Sequence, residues 1–205
     1  MKDSALPYST LFIDIGGVLL TNGWDTKSRT KAAEFFGFEI SEIESRHSLV
    51  VDLFERGKIT LNDYMDWVIF YRHRSFSRDD FKKFLFAQSQ PFKEMLELIS
   101  VFKDRYGLRV VAISNEGREL MEHRIHAFGL KKVIDFFVCS CFVHLRKPDP
   151  AIFHLASDLS QTVTKHGIYI DDRAIFVEVA QNLGFRAIHH TNLESTRQAL
   201  VDCFS

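Results

Sequence analysis

The first apolar run, Leu11-Phe12-Ile13, closes on Asp14, and Gly16-Gly17 follow at once. A short run bounded by glycines predicts a buried strand. The glycine pair permits a sharp turn and lets backbone approach a ligand closely. From Asp25 to about Gln88 the apolar period becomes helical. Ala32, Ala33, Phe35 and Phe36 predict a helix over Lys31 to Phe38, with Gly37 near its end. Ser41-Glu42-Ile43-Glu44 resembles a capping box and opens a helix through Leu49, Val50, Leu53 and Phe54. Thr60-Leu61-Asn62-Asp63 opens a third, with Tyr64, Trp67, Val68 and Tyr71 at helical spacing. Ser77-Arg78-Asp79-Asp80 opens a fourth, with Phe81, Phe84 and Leu85 facing inward. Four short helices without a strand between them read as a small inserted bundle, residues 22–90.

After Pro91 the two periods alternate. A helix through Met95, Leu96, Ile99 and Phe102 precedes a β-branched run, Arg109 to Ile113. Further strands are predicted at Phe136 to Cys139, Gly167 to Ile170 and Arg186 to Ile188. Helices are predicted at Gly117 to Phe128, Asp149 to Leu159, Ala174 to Leu183 and Leu193 to Phe204. Alternation of this kind predicts an α/β core with a five-stranded parallel sheet covered on both faces, formed by residues 1–21 and 91–205. Right-handed crossovers bring the carboxyl ends of the strands to one edge.

Composition narrows the function classes. With 46% hydrophobic residues in 205, the chain can bury a proper core. A formal net charge of -1 argues against non-specific nucleic-acid binding. No run of 18 apolar residues exists, so no helix is expected to span a membrane. Met1-Lys2-Asp3-Ser4 does not begin a signal-peptide core. Three cysteines, an odd and sparse count, fit reduced thiols and a cytoplasmic location. Cys139-Ser140-Cys141 lacks zinc-ligand spacing and reads as strand filling.

Polar residues stand at four strand-end or loop positions: Asp14, Ser114-Asn115, Lys147 and Asp171-Asp172. Each has an ordinary reading. Ser114 could cap a helix, Lys147 could be a solvated lysine, and Asp171-Asp172 could be a turn. Together they fall on one edge of the sheet, where open parallel sheets bind ligands. Carboxylates supply hard oxygen ligands for Mg2+. A hydroxyl and helix-terminal amides can cradle phosphate oxygens, and an ammonium can offset charge on a transferring group. A carboxylate beside a metal and a lysine can be a nucleophile.

With these residues in place, the sequence resembles the haloacid dehalogenase (HAD) superfamily, in the branch with a helical cap inserted after the first motif. The matching stretches are Phe12-Ile13-Asp14-Ile15-Gly16-Gly17-Val18, Ala112-Ile113-Ser114-Asn115, Arg146-Lys147-Pro148-Asp149-Pro150 and Asp171-Asp172. The Arg146 to Pro150 stretch with Ile152-Phe153, and Ala187 to Asn192, are similar to the sugar-phosphate phosphatases of that branch. The resemblance implies a Rossmann-like core and a Mg2+-dependent phosphatase of a small phosphorylated metabolite. It implies that Asp14 attacks phosphorus and forms an aspartyl-phosphate, which water hydrolyses. Mg2+ would be held by Asp14, the Gly16 carbonyl, Asp171 and Asp172, with Asp172 the first choice for direct contact. Ser114, Asn115, Lys147 and Gly17 would bind the phosphoryl group.

Two positions depart from the family pattern. Most phosphatases of the family carry an acid-base Asp where this chain has Gly16, a contribution worth roughly 10²–10⁴ in rate. His47 is a candidate stand-in. Phe176 occupies a position where close relatives often have Asn. The departures leave two alternatives open: a non-catalytic module binding phosphate or a partner, and a metal-independent 2-haloacid dehalogenase. Trp24, Arg46, His47, Trp67 and Tyr71 are candidates to reach the cleft from the inserted helices.

Overall fold

A computed structural model describes residues 7–205; the reading of Met1-Lys2-Asp3-Ser4 lies outside them. Five strands form one parallel sheet in the order β3-β2-β1-β4-β5. They are β1 (Thr10–Ile13), β2 (Arg109–Ser114), β3 (Phe136–Cys139), β4 (Gly167–Asp171) and β5 (Arg186–His189). Along β1 the side chains alternate between two cores, as a sheet buried on both faces requires. Leu11 and Ile13 pack with Ile99, Met121 and Leu200, whereas Phe12 packs with Ile152, Phe153 and Ala180. These partners lie on α5 (Lys93–Tyr106), α6 (Arg118–Ala127) and α10 (Leu193–Cys203) on one face, and on α8 (Pro150–Ser160) and α9 (Ala174–Asn182) on the other.

Between β1 and α5 lie α1 (Thr26–Phe36), α2 (Ile40–Glu55), α3 (Leu61–Val68) and α4 (Arg78–Ala87). They enclose a core of their own: Trp24, Ala32, Ile43, Phe54, Tyr64, Met65 and Phe81 meet there, joined by Leu120 of α6. The two connections to the sheet run side by side. Thr21 N–H donates to the Gln90 carbonyl (2.8 Å), and Thr21 Oγ1 to that of Gln88 (2.7 Å).

Several local expectations are corrected. The α2 capping box does not form, because the helix starts at Ile40 with Glu39 as its uncapped N-cap. Glu44, the expected box partner, instead pairs with buried Arg29 at 2.7 Å. Thr60 does form a full capping box with Asp63, and Ser77 caps α4. Phe35 and Leu49 sit 72% and 80% exposed, because each four-helix stripe is narrower than its run of apolar residues. Cys139 ends β3, but Cys141 lies in a short helix, α7 (Ser140–Val143), rather than in a strand; both are buried.

Candidate active site

The site is assembled at the point where the chain order across the sheet reverses. From β1 the chain steps outward to β2 and β3, then returns to place β4 on the other flank of β1. Ligands bind at such switch points because neighbouring loops leave in opposite directions. Ile13 is in register with Ala112 and Ile170, so Asp14 follows the central strand while Ser114 and Asp171 end its two neighbours. Lys147 lies on the return from β3 to β4.

Four of the expected residues meet there. Lys147, 1% exposed, places Nζ 2.6 Å from Asp171 Oδ2 and 3.2 Å from Asp14 Oδ1. Asp14 Oδ1 also accepts from the Ile15 N–H at 2.7 Å. Asp171 is held on both oxygens: Oδ2 also accepts from the Tyr169 hydroxyl, and Oδ1 from the Arg173 N–H at 2.8 Å. Asp14, Asp171 and Asp172 each offer an oxygen within 4.8 Å of the others. Burial raises the Asp14 carboxyl to about 6; Lys147 and Ser114 pull it down, while Asp171 and Asp172 push it up. Burial also works against the Lys147 charge, but the two carboxylates prevail and its ammonium is held above its ordinary range. Phe176 packs here too, its ring centroid 4.9 Å from Lys147 Nζ.

The donor set fits a divalent cation. Three carboxylates surround one ammonium, leaving two negative charges in excess. Asp172 Oδ1 is buried and has no hydrogen-bond partner. Gly17, at φ +77°, makes room for that carboxylate: a Cβ there would stand 2.2 Å from Asp172 Oδ2. Hard oxygen donors in this number suit Mg2+.

Other expectations change. The Asn115 amide bridges to the Lys147 backbone, accepting from its N–H and donating to its carbonyl, each at 2.9 Å. Its side chain clamps the lysine backbone from a position in the cleft lining. Of the five helical candidates, Trp24 and His47 line the cleft. Arg46 instead stacks on Tyr71 at 3.5 Å and donates to the Trp67 carbonyl, and Trp67 is 46% exposed. His47 Nδ1 lies 2.7 Å from the Tyr64 hydroxyl, which accepts from Trp24 Nε1 at 2.8 Å. An indole only donates, so Tyr64 is the acceptor in its bond with Trp24. Burial lowers the His47 pKa to about 4, so it is neutral near pH 7 and not an acid.

The cleft also holds residues that sequence reasoning missed: Asn22, Glu55, Glu116, Arg124, Arg146 and Arg173. Arg124 left a signal, since it interrupts the apolar series Leu120, Met121, Ile125 and Phe128 on one helix. The free volume is small, about 70 Å³.

The sequence matches the haloacid dehalogenase-like hydrolase family over residues 8–184. The chain belongs to that family. No curated protein matches it significantly. Solved structures are similar in fold. A HAD family enzyme from Bacteroides thetaiotaomicron, solved as a magnesium complex, is 22% identical with a TM-score of 0.75, covering 90% of this chain and 93% of its own. A predicted HAD-like hydrolase from Porphyromonas gingivalis is 16% identical with a TM-score of 0.77, covering 95% and 98%. A dehalogenase is 17% identical with a TM-score of 0.65, covering 94% and 89%. The parallel five-stranded sheet is thus the Rossmann-like core of a HAD-like hydrolase. Among the described residues no helix is long and apolar enough to cross a membrane.

Proposed function

We propose that this HAD-like hydrolase is a Mg2+-dependent phosphatase of a small phosphorylated metabolite, of the kind that includes sugar phosphates. The observation that carries this reading is the buried Asp14–Lys147–Asp171 cluster beside the orphaned oxygen of Asp172. Asp14 is the nucleophile: its carboxylate oxygen bonds to phosphorus as the ester P–O bond breaks. Water then attacks the aspartyl-phosphate and releases inorganic phosphate with Asp14 restored. Lys147 keeps Asp14 charged and faces the oxygens on which charge gathers. Ser114 and the backbone around Gly17 supply further donors to the phosphoryl group, while Asn115 fixes Lys147. Asp14, the Gly16 carbonyl and the Asp171-Asp172 pair would hold Mg2+, with Asp172 the first choice for direct contact while Asp171 also orients Lys147. Bound Mg2+ supplies positive charge to the phosphoryl oxygens. The helices α1–α4 act as a cap, and the cleft beneath them favours a small phosphorylated substrate.

The retained Asp172 and its orphaned oxygen favour this reading over a metal-independent dehalogenase, which has no use for them. The test is hydrolysis of p-nitrophenyl phosphate and a panel of sugar phosphates, with Mg2+ or EDTA, beside Asp14→Asn and with 2-haloacids as a control. Metal-dependent phosphate release that vanishes in Asp14→Asn is expected. Halide release that persists in EDTA would overturn the reading.

A further inference from the structure

Position 16 carries no proton donor, and the space beyond it is already filled. A Cβ on Gly16 would stand 2.9 Å from Asn22 Oδ1 and 3.6 Å from Arg124 Nη1. A Cβ on Gly23 would fall 2.1 Å from Arg124 Nη2. Glycine at both positions makes room for one guanidinium. Arg124 is 1% exposed; Nε donates to Ser89 Oγ (2.9 Å) and Nη2 to the Thr21 carbonyl (3.2 Å). Its Nη1 lies 3.1 Å from Glu116 Oε2.

Glu116 is 7% exposed and lines the cleft with Asp14, Ser114 and Lys147. Its N–H donates to Ser140 Oγ, and Oε1 accepts from the Gly117 N–H, both at 3.0 Å. One lone pair on each carboxyl oxygen remains for another partner. A buried ion pair contributes less to stability than apolar side chains of the same volume. Its place in a cleft therefore points to use.

We propose that Glu116 is the general acid and base of this site, with Arg124 as its positioning residue, in place of a side chain at position 16. The proposal rests on the phosphatase reading. When Asp14 displaces the ester oxygen, Glu116 gives its proton to that oxygen, and the product leaves as an alcohol. Arg124 stabilises the carboxylate that remains. In the second step Glu116 takes a proton from the attacking water as the P–O bond to Asp14 breaks, which returns every group to its starting state. The charged groups facing Glu116 are Arg124 from α6, Glu55 from α2 and Asp14 after β1. Burial pushes its carboxyl up to about 7, against the pull of Arg124 and with help from Glu55 and Asp14. A group poised there can both give and retake a proton. A side chain at position 16 would press on Asn22 Oδ1 and crowd the Arg124 guanidinium, so Gly16→Asp is not expected to add activity.

The test compares kcat/KM for p-nitrophenyl phosphate, whose leaving group needs no proton, with that for a simple alkyl phosphate, whose leaving group does. The ratio of the two is independent of how much enzyme is folded. Glu116→Gln is expected to lower the alkyl-to-aryl ratio by at least about tenfold, given that acid catalysis is worth roughly 10²–10⁴. It is also expected to remove the limb of the wild-type pH profile near neutrality. Glu116→Asp, which keeps the charge, should recover part of the ratio and serves as the test if Glu116→Gln does not fold. An unchanged ratio in Glu116→Gln, equal loss on both esters, or a ratio that falls in Arg124→Met alone would overturn the proposal. Failure of the phosphatase reading is distinct: the wild type would then be as inactive on both esters as Asp14→Asn.

Discussion

Replacing Lys147 with Met tests the electrostatic account of the site most directly. Met keeps the length of the stem but removes the charge that lies 2.6 Å from Asp171 and 3.2 Å from Asp14. All three groups are buried, so the carboxylates left behind cannot turn to water. Removing one partner of a buried pair costs about 3–5 kcal/mol. For a domain of this size each kcal/mol shifts Tm by roughly 2–4 °C, so a fall of about 6–20 °C is expected. The deficit should depend on pH, and the sign follows from Asp14. Its carboxyl is raised from 3.8 to about 6 in the folded protein. A raised folded pKa gives stability that is complete below the unfolded value and is lost as pH rises through the folded one. Lys147 lowers that folded pKa, so its removal raises it further and deepens the loss at neutral pH. Urea unfolding of both proteins without metal should therefore show a deficit that is small at about pH 4 and widens towards pH 7.5. Mg2+ should recover part of it. A deficit below about 1 kcal/mol, or one equal at both pH values, would refute the reasoning.

Three further outcomes are expected. Gly17→Ala forces Ala into a left-handed conformation costing about 1–2 kcal/mol. Its Cβ would also displace Asp172, 2.2 Å away, so calorimetry should show both a lower Tm and weaker Mg2+ binding. Saturating the wild type with Mg2+ at about 100 times its Kd should add about 2.7 kcal/mol of stability, and Asp172→Asn should abolish most of that gain in thermal melts. Thr60→Ala removes the N-cap of α3 and should cost about 1 kcal/mol in chemical unfolding without changing metal binding.

The alternation of β-branched runs with amphipathic helices made the sheet legible, because each strand is buried on both faces and each helix on one. The site residues that end strands were legible for the same reason: Asp14, Ser114 and Asp171 follow from where the strands stop. Roles within the site were not. Asn115 sits where a phosphate donor was expected, but only the fold brings its amide onto the Lys147 backbone, 32 residues away in sequence. The start of α2 is not legible locally, because Glu44 answers to Arg29 across the helix pair rather than to its own helix end. Glu116 and Arg124 belong to different elements, and only the clearances at Gly16 and Gly23 show that they share a space.

The charges of the cleft explain why these residues occur together. Glu116 faces Arg124, and Glu55 faces Arg146 at 2.6 Å, so each of these carboxyls has a guanidinium to itself. Asp14, Asp171 and Asp172 share Lys147, and the first two are buried while Asp172 is half-buried beside them. Burial first, and the neighbouring carboxylates after it, raise the carboxyls of Asp14 and Asp172. A site that stores repulsion among like charges is tolerated where binding removes it. A divalent cation would cancel the excess, after which a phosphate dianion would meet Lys147 and the backbone donors without opposing carboxylates in control. The same logic orders the two events: phosphate binding should be weak without metal and strengthen with it, and equilibrium binding of inorganic phosphate with and without Mg2+ measures the coupling. By reciprocity, phosphate should tighten Mg2+ by the same factor. Equal phosphate affinity in EDTA and in saturating Mg2+ would show that the carboxylate excess does not govern this cleft.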